Sequence, residues 1–296
     1  MTMAKIPEKR RIQTLPSALQ IYGAALMTAR KQPTATVSSS LPELCLDRPS
    51  VALDAAHITR YSEVCGFTPA HGIPLTYPHM LAFPLHMLFM ADRAFPYSMM
   101  GLIHLANSIR QHARLTPGQV VSVEVRSGEQ LAHEKGQVFT LLTEISLDRE
   151  LVWESTSTYL RTGISNPQGA AYASRLREPN ATQAAQTWAL DGGLGRRYGR
   201  VSRDINPIHL YRPTAMMFGF RRAIAHGMWT KARALAALMP ARPVDNAETA
   251  VEFKTPLYLP GKATLWADPY FKGQEQAFEV KDSNGEKPHL RGVWRG

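Results

Sequence analysis

The chain has almost no cysteine: Cys45 and Cys65 are the two in 296 residues. That excludes a disulfide-stapled scaffold and a cysteine-based metal cluster, and it fits a reducing cytoplasm. Long apolar runs are missing too. No stretch approaches the ~20 apolar residues a membrane-spanning helix needs, so no membrane span is expected. Lys9-Arg10-Arg11 followed by an apolar segment has the outline of a secretory leader. Gln20 and Gly23 interrupt that segment and no good cleavage site follows, so no leader is expected either. Basic runs longer than three residues are absent, as is any nucleic-acid-binding motif. Acids are scarce beside bases: 24 Asp and Glu against 34 Lys and Arg leave a net charge of +10. The surplus favours an acidic ligand or partner, and without a base-reading motif nucleic acid is not expected.

What is present belongs to an ordinary globular protein. Hydrophobic residues make up 44% and charged residues 20%, enough for a sizeable core. The length suits two domains or one doubled domain. Residues 1–40 read as an N-terminal extension. Its first 13 residues are polar and loosely ordered, and its helix spans 17–31 with Ala18, Tyr22, Ala25, Leu26 and Ala29 on one stripe. A small-residue linker covers 34–40. A first unit covers 41–162, with a helix at 57–64, a proline-containing apolar stretch at 74–90, and strands at 119–125, 138–145 and 151–160. Residues 163–186 form a polar, small-residue linker. A second unit covers 187–296, with strands at 187–190, 251–258, 262–269, 276–281 and 289–295.

The chemistry concentrates between residues 198 and 229. One acid, Asp204, is followed by His209 and then by His226. Asn206-Pro207 is a turn signal, because proline pushes the residue before it out of the helical region. Such a turn can face Asp204 toward His209, and a carboxylate beside an imidazole is a proton-handling pair. Residues 215–220 are an apolar run able to wall a pocket, with Met216 and Phe220 as candidates for substrate contact. Gly227 opens a helix whose Met228, Ala232, Leu235 and Met239 form one stripe. The first N–H groups of a helix have no internal partner, so they can donate to a carbonyl oxygen gaining negative charge. Each feature alone has a plainer reading: Asp204 as a turn or cap residue, each histidine as structural, the apolar run as core. Asp204, His209 and His226 also formally make a three-ligand metal set, although no known metal spacing is present.

Taken together, V-S-x-D-x-N-P-I-H followed about seventeen residues on by I-A-H-G-M resembles the signature of the MaoC-like (R)-specific enoyl-thioester hydratase/dehydratase family. The resemblance implies an α+β double hot-dog fold: two curved antiparallel sheets, each wrapped around a central helix. It implies reversible hydration of a trans-2-enoyl thioester, of coenzyme A or acyl carrier protein, to the (3R)-hydroxyacyl thioester. It assigns Asp204 and His209 as the catalytic pair holding a water. The Gly227 amide becomes the donor to the thioester carbonyl, with Asn206 and His226 supporting the site. No cofactor and no metal are implied. Arg203 stands where many members have glycine. Oligomeric state stays open between a monomer acting as a pseudo-dimer and a homodimer.

The two units echo one another. Val64-Cys65-Gly66-Phe67-Thr68-Pro69-Ala70-His71 resembles the segment from Val201 to His209, and with Pro69 set on Pro207 the acid Asp204 falls opposite Gly66. Residues 83–87, containing His86, resemble 223–228 with the glycine lost. The first unit therefore reads as a degenerate copy whose apolar 75–90 segment makes room for an acyl chain. Arg196, Arg197, Arg200, Arg203, Arg212, Arg221 and Arg222 crowd the second unit. They form either a solvated face or a positive rim for coenzyme A phosphates or an acidic carrier protein. The alternatives to hydration are a hot-dog acyl-thioester thioesterase and a non-catalytic acyl-thioester binder.

Overall fold

The computed structural model describes residues 8–28, 40–174 and 176–296, the main chain alone at 25–27. Four segments precede the first long sheet run: β1 (Glu8–Arg11), α1 (Ala18–Thr28), β2 (Leu44–Ala52) and α2 (Ala55–Cys65). A single 3-10 turn, Pro69–His71, leads to α3 (Pro78–Ala91) and then to β3 (Leu102–Gln111), β4 (Val120–His133), β5 (Gly136–Leu147) and β6 (Glu150–Thr162). The two-residue β7 (Ala170–Ala171) lies in the linker. The second half comprises β8 (Gln186–Leu190), α4 (Leu194–Ser202), α5 (Pro207–Leu210), α6 (Arg212–Met216), α7 (Gly227–Leu238), β9 (Ala247–Phe253), β10 (Gly261–Ala267), β11 (Gln276–Asp282) and β12 (Pro288–Arg295). The expected linker at 34–39 and the end of the expected N-terminal helix at 29–31 lie outside the described residues.

The strand order is β1-β2-β4-β5-β6-β3-β9-β12-β11-β10-β8. From β2 to β8 it reads the same inward from either end. The first half places its strands in the order first, third, fourth, fifth, second, and the second half repeats that order in mirror image. The two sheets of the expected double hot-dog are thus one continuous sheet. They join where β3 pairs antiparallel with β9, Ala106 opposite Glu252 and Gln111 opposite Ala247. Helices α3 and α7 occupy equivalent places in the two halves, and α3 packs on β2, β4 and β5 while α7 packs on β12 and α2.

Sequence periodicity explains most of these elements. In β4, Val121, Val123 and Val125 alternate with exposed or half-exposed residues and are fully buried, as a strand with one face on the core requires. In α7, Met228, Ala232 and Leu235 are buried as the stripe predicts. Helix α2 starts where the Asp54 side chain accepts from the His57 N–H at 2.6 Å, and it ends at Gly66 with φ +85°.

Four expectations differ from what is seen. Residues 8–11 are a strand, paired parallel to β2. β2 and β3 were not expected. β2 holds Pro49 and two charges, and its pairing with β4 shifts register between Arg48 and Val51, where the proline sits without donating to the ladder. The strand expected at 251–258 ends at Phe253, because Pro256 follows and the chain turns off the sheet to line a cavity.

Candidate active site

Helix α4 is the platform of the site. Its buried face carries Leu194, Gly195, Tyr198, Gly199 and Ser202, while Arg196, Arg197 and Arg200 lie on the other side. Gly195 and Gly199 are one turn apart and let the following loop lie directly on the helix backbone. A Cβ on Gly195 would sit 2.0 Å from the His209 carbonyl oxygen, and one on Gly199 would sit 2.8 Å from the Asp204 carbonyl oxygen. α4 ends at Arg203, which takes the left-handed conformation at φ +61°. The turn that glycine would make freely is made here by arginine, at a cost of roughly 1–2 kcal/mol.

The Asn206-Pro207 signal opens a helical turn rather than a bare loop. Asn206 is extended (φ −54°, ψ 125°), its side chain accepts from the Ile208 N–H at 3.3 Å, and Pro207 takes the first helical position of α5. His209 is therefore carried on a one-turn helix. Its Nδ1 lies 2.8 Å from the Ile224 carbonyl oxygen. A carbonyl only accepts, so Nδ1 holds the proton and Nε2 is left as an acceptor.

His226 is the N-cap of α7 and its Nε2 donates to the Asp204 carbonyl oxygen at 3.1 Å. Its ring stacks on His209 with centroids 3.7 Å apart. The Asp204 carboxylate is held by several donors. Oδ1 accepts from the Tyr22 hydroxyl at 2.6 Å and from the Asn206 N–H at 3.1 Å, and Oδ2 lies 3.8 Å from His226 Nε2. Burial pushes the Asp204 carboxyl up, but His226, His209, the Tyr22 hydroxyl and the Asn206 N–H together hold it below the usual carboxylate range. Burial dominates at both histidines: it lowers His209 and drives His226 down to about 3. At neutral pH the site is one carboxylate anion beside two neutral imidazoles.

These groups line a cavity of about 430 Å³. Asp204, Asn206, His209, Phe220, His226 and Gly227 are all on its wall. Met216 is not. It is 55% exposed at the end of α6, and Met217 and Phe218 are exposed with it. The expectation that Met216 contacts substrate is corrected accordingly: α6 is five residues long and buries Ala215, which turns Met216 outward. Gly227 is the first residue of α7, and the first main-chain bond of the helix runs from Thr230 N–H to His226 O, so the Gly227 N–H has no intrahelical partner. A Cβ there would lie 2.7 Å from the Phe253 ring, so only glycine lets that ring close against the helix start. The first half adds Met80, Phe83 and Met87 of α3, His104 of β3 and Tyr159 of β6 to the wall.

Asp204, His209 and His226 offer ligand atoms within 4.8 Å of one another. One Asp204 oxygen, His209 Nδ1 and His226 Nε2 are already committed to hydrogen bonds, an arrangement suited to moving protons. None of the seven arginines lines the cavity. Arg197 is paired with Asp191 at 2.5 Å, Arg196 donates to the Leu210 carbonyl, and Arg222 donates to the Pro260 carbonyl. Sequence reasoning missed Tyr22, Gly195, Gly199 and His104. The glycine pair at i and i+4 was the one readable signal among them.

The first half departs from the expected echo. The left-handed residue that ends α2 is Gly66, and the one that ends α4 is Arg203. By this landmark Phe67, not Gly66, follows the helix end where Asp204 does, with one residue fewer before the proline. His71 Nδ1 is engaged by Thr68 of its own turn, and His86 lies mid-helix in α3 rather than at a helix start. The residue that opens α3, as Gly227 opens α7, is Pro78, which has no N–H to offer.

Residues 181–263 match the MaoC like domain family. The chain is 30% identical over 285 residues to 3-hydroxyacyl-thioester dehydratase X of Mycobacterium tuberculosis, covering 96% of this chain and 99% of that one. A crystal structure of that organism's HtdX aligns with a TM-score of 0.73 at 29% identity, over 85% of this chain and 99% of the other. A MaoC-like dehydratase from Phytophthora capsici shares the fold, with a TM-score of 0.68 at 15% identity over 85% and 94% of the two chains.

Proposed function

The chain belongs to the MaoC-like dehydratase family, and on that premise we propose that it is a hydro-lyase interconverting trans-2-enoyl and (3R)-3-hydroxyacyl thioesters. The observation that carries this reading is the facing of an ionised Asp204 and a neutral His209 onto one cavity wall, beside the N-terminus of α7. Two acceptors, the carboxylate and His209 Nε2, hold a water by its hydrogens. The water oxygen bonds to C3, one of its hydrogens passes to the protein pair, and C2 receives a proton from that pair. The negative charge that builds on the thioester oxygen during addition is met by the Gly227 N–H. His226 fixes the Asp204 main chain through its own ring N–H, and Asn206 caps the turn that presents His209.

The first half acts as the non-catalytic partner in this proposal. Phe67 in the acid's place and Pro78 in the amide's place leave it without either group, and α3 contributes apolar wall for an acyl chain. Residues 41–162 and 187–296 are the two units, joined by 163–186. The thioester is carried by coenzyme A or acyl carrier protein, and Lys254, Thr255 and His289 also line the cavity. The enzyme is proposed to act in the cytoplasm.

The test is the enoyl-thioester absorbance on mixing with a trans-2-enoyl-CoA. Positioned acid/base groups contribute ~10² to 10⁴-fold, so Asp204→Asn and His209→Ala should each lower kcat by at least about 100-fold with the fold retained. Release of free thiol in place of hydration, caught by a thiol reagent, would move the assignment to thioester hydrolysis.

A further inference from the structure

Tyr22 belongs to neither hot-dog unit. It comes from α1, which lies against α3 and is anchored by the buried Ile21 and by Thr28, whose hydroxyl accepts from the Met99 N–H at 3.1 Å. From there the phenol crosses to the other half of the molecule and donates to Asp204 Oδ1 at 2.6 Å. It also lines the cavity. We propose that Tyr22 is a positioning residue for the reaction: its hydroxyl aims the Asp204 carboxylate at the bound water and keeps it ionised.

Geometry makes the case. The Asn206 N–H and the Tyr22 hydroxyl share Oδ1, which fixes the carboxylate rotation and leaves Oδ2 for water. Several other groups face Asp204: Tyr198 from α4, His209 from α5, His226 ahead of α7, His104 from β3 and Tyr159 from β6. The three imidazoles are lowered by burial and carry no charge at neutral pH. His226 and His209 lie close enough to favour the anion, and Tyr22 is the side chain that donates a hydrogen bond to the carboxylate oxygen. The phenol itself stays protonated, because burial and the neighbouring Asp204 push it up. It therefore donates across the whole working range of pH and never competes as a base.

This inference rests on the proposed hydration, and its test separates the two. The perturbation is Tyr22→Phe in the full chain, with Tyr22→Leu beside it. The first readout is the pH profile of kcat/KM for a trans-2-enoyl-CoA. The second needs no turnover: the carbon-13 signal of the Asp204 carboxyl, assigned by its loss in Asp204→Asn. Losing one hydrogen bond to an ionised group should raise the carboxyl midpoint by about one to two pH units. The acid limb of kcat/KM should move up by the same amount. Around pH 8, where the carboxylate is ionised either way, the remaining loss in kcat/KM reports the aiming of the carboxylate alone and should be about ten-fold. A merely structural role predicts a loss equal at every pH, full recovery in Tyr22→Phe relative to Tyr22→Leu, and an unmoved carbon signal, and that result overturns the proposal. Faster turnover in Tyr22→Phe also overturns it, since the phenol would then be blocking the water. A carboxyl shift in a wild type that hydrates nothing would sustain the Tyr22 pairing and reject the proposed reaction.

Discussion

Replacing Gly195 with alanine should switch the enzyme off without unfolding it. The added Cβ would stand 2.0 Å from the His209 carbonyl oxygen, and ordinary contact starts at 3.4 Å. About 1.4 Å of separation must come from somewhere. The obstacle is main chain, so no rotamer change can relieve it. Either α4 lifts off or α5 retreats, and α5 is the weaker element: four residues, capped by one side chain. His209 would move with it, breaking the 2.8 Å bond from Nδ1 to the Ile224 carbonyl. A misplacement of about 1 Å at a reacting group can cost on the order of 10²-fold in rate. Overpacking of this kind costs ~1–3 kcal/mol of stability, a few degrees in Tm. The assay is hydration of a trans-2-enoyl-CoA with thermal unfolding in parallel. Gly192→Ala serves as control, because its Cβ would meet the Pro260 side chain at an ordinary 3.7 Å. Wild-type kcat in Gly195→Ala at an unchanged Tm would refute the reasoning, because it would mean that the α4–α5 contact does not set the position of His209.

Gly227→Ala places a Cβ 2.7 Å from the Phe253 ring. It should lower kcat by ~10² to 10³-fold, the effect of losing one oxyanion donor, and a change confined to KM would remove the α7 N-terminus from the chemistry. Arg203→Gly relieves a left-handed residue and should raise stability by about 1 kcal/mol with activity kept; an unchanged or lowered unfolding midpoint counts against strain at that turn. Stability should fall on acidification. Burial holds His86, His104 and His226 down at about 3, whereas the unfolded chain takes up those protons near 6.5. The folded values are the lower ones, so this stability is complete above ~6.5 and is lost toward ~3, at up to ~1.4 kcal/mol per pH unit for each proton. Asp204, also held low, adds a loss of the same sign below ~4. Thermal unfolding from about pH 7.5 to pH 5 checks this, and a Tm that holds steady or rises over that span would contradict it.

Much of the candidate site was legible because its parts are local. Asp204, Asn206, His209, His226 and Gly227 fall within 24 consecutive residues, and the turn, cap and helix-start rules act over that range. The strands β4, β5, β6, β10, β11 and β12 were legible because apolar residues alternate or run between turn signals. β2 was hidden by Pro49 and its bulge, and β3 by Asn107 and Ser108 in its middle. Those residues are polar because the strand lies at the seam: the Asn107 carbonyl and side-chain oxygens accept from Lys231 Nζ at 3.0 and 2.6 Å. A buried partner 124 residues away leaves no local mark. Tyr22 was hidden for the same reason. It sat on a stripe read as plain helix packing, and its bond to Asp204 spans 182 residues. Met216 was misplaced by the opposite error, since apolar character was read as burial in a segment too short to bury more than one face.

The seam also explains why one copy of the chemistry can serve a doubled fold. β3 and β9 are the paired centre of the sheet, and the cavity draws residues from both sides of that pair. Phe253, on β9, packs its ring against His104 on β3 at 4.9 Å and closes against Gly227 at the same time. A helix start bearing a side chain would push that ring into the first half, so the glycine of one half and the imidazole of the other are fixed by one aromatic ring. At the corresponding helix start in the first half the chain has Pro78, and the residue after the αL helix end is Phe67. Under the proposed division, restoring an acid there would add a second carboxylate to a unit that has no amide donor at its helix start, so it would carry the cost of a buried charge with no oxyanion to serve. An apolar first half avoids that cost, and the space goes to Met80, Phe83 and Met87, which wall the cavity where an acyl chain would lie.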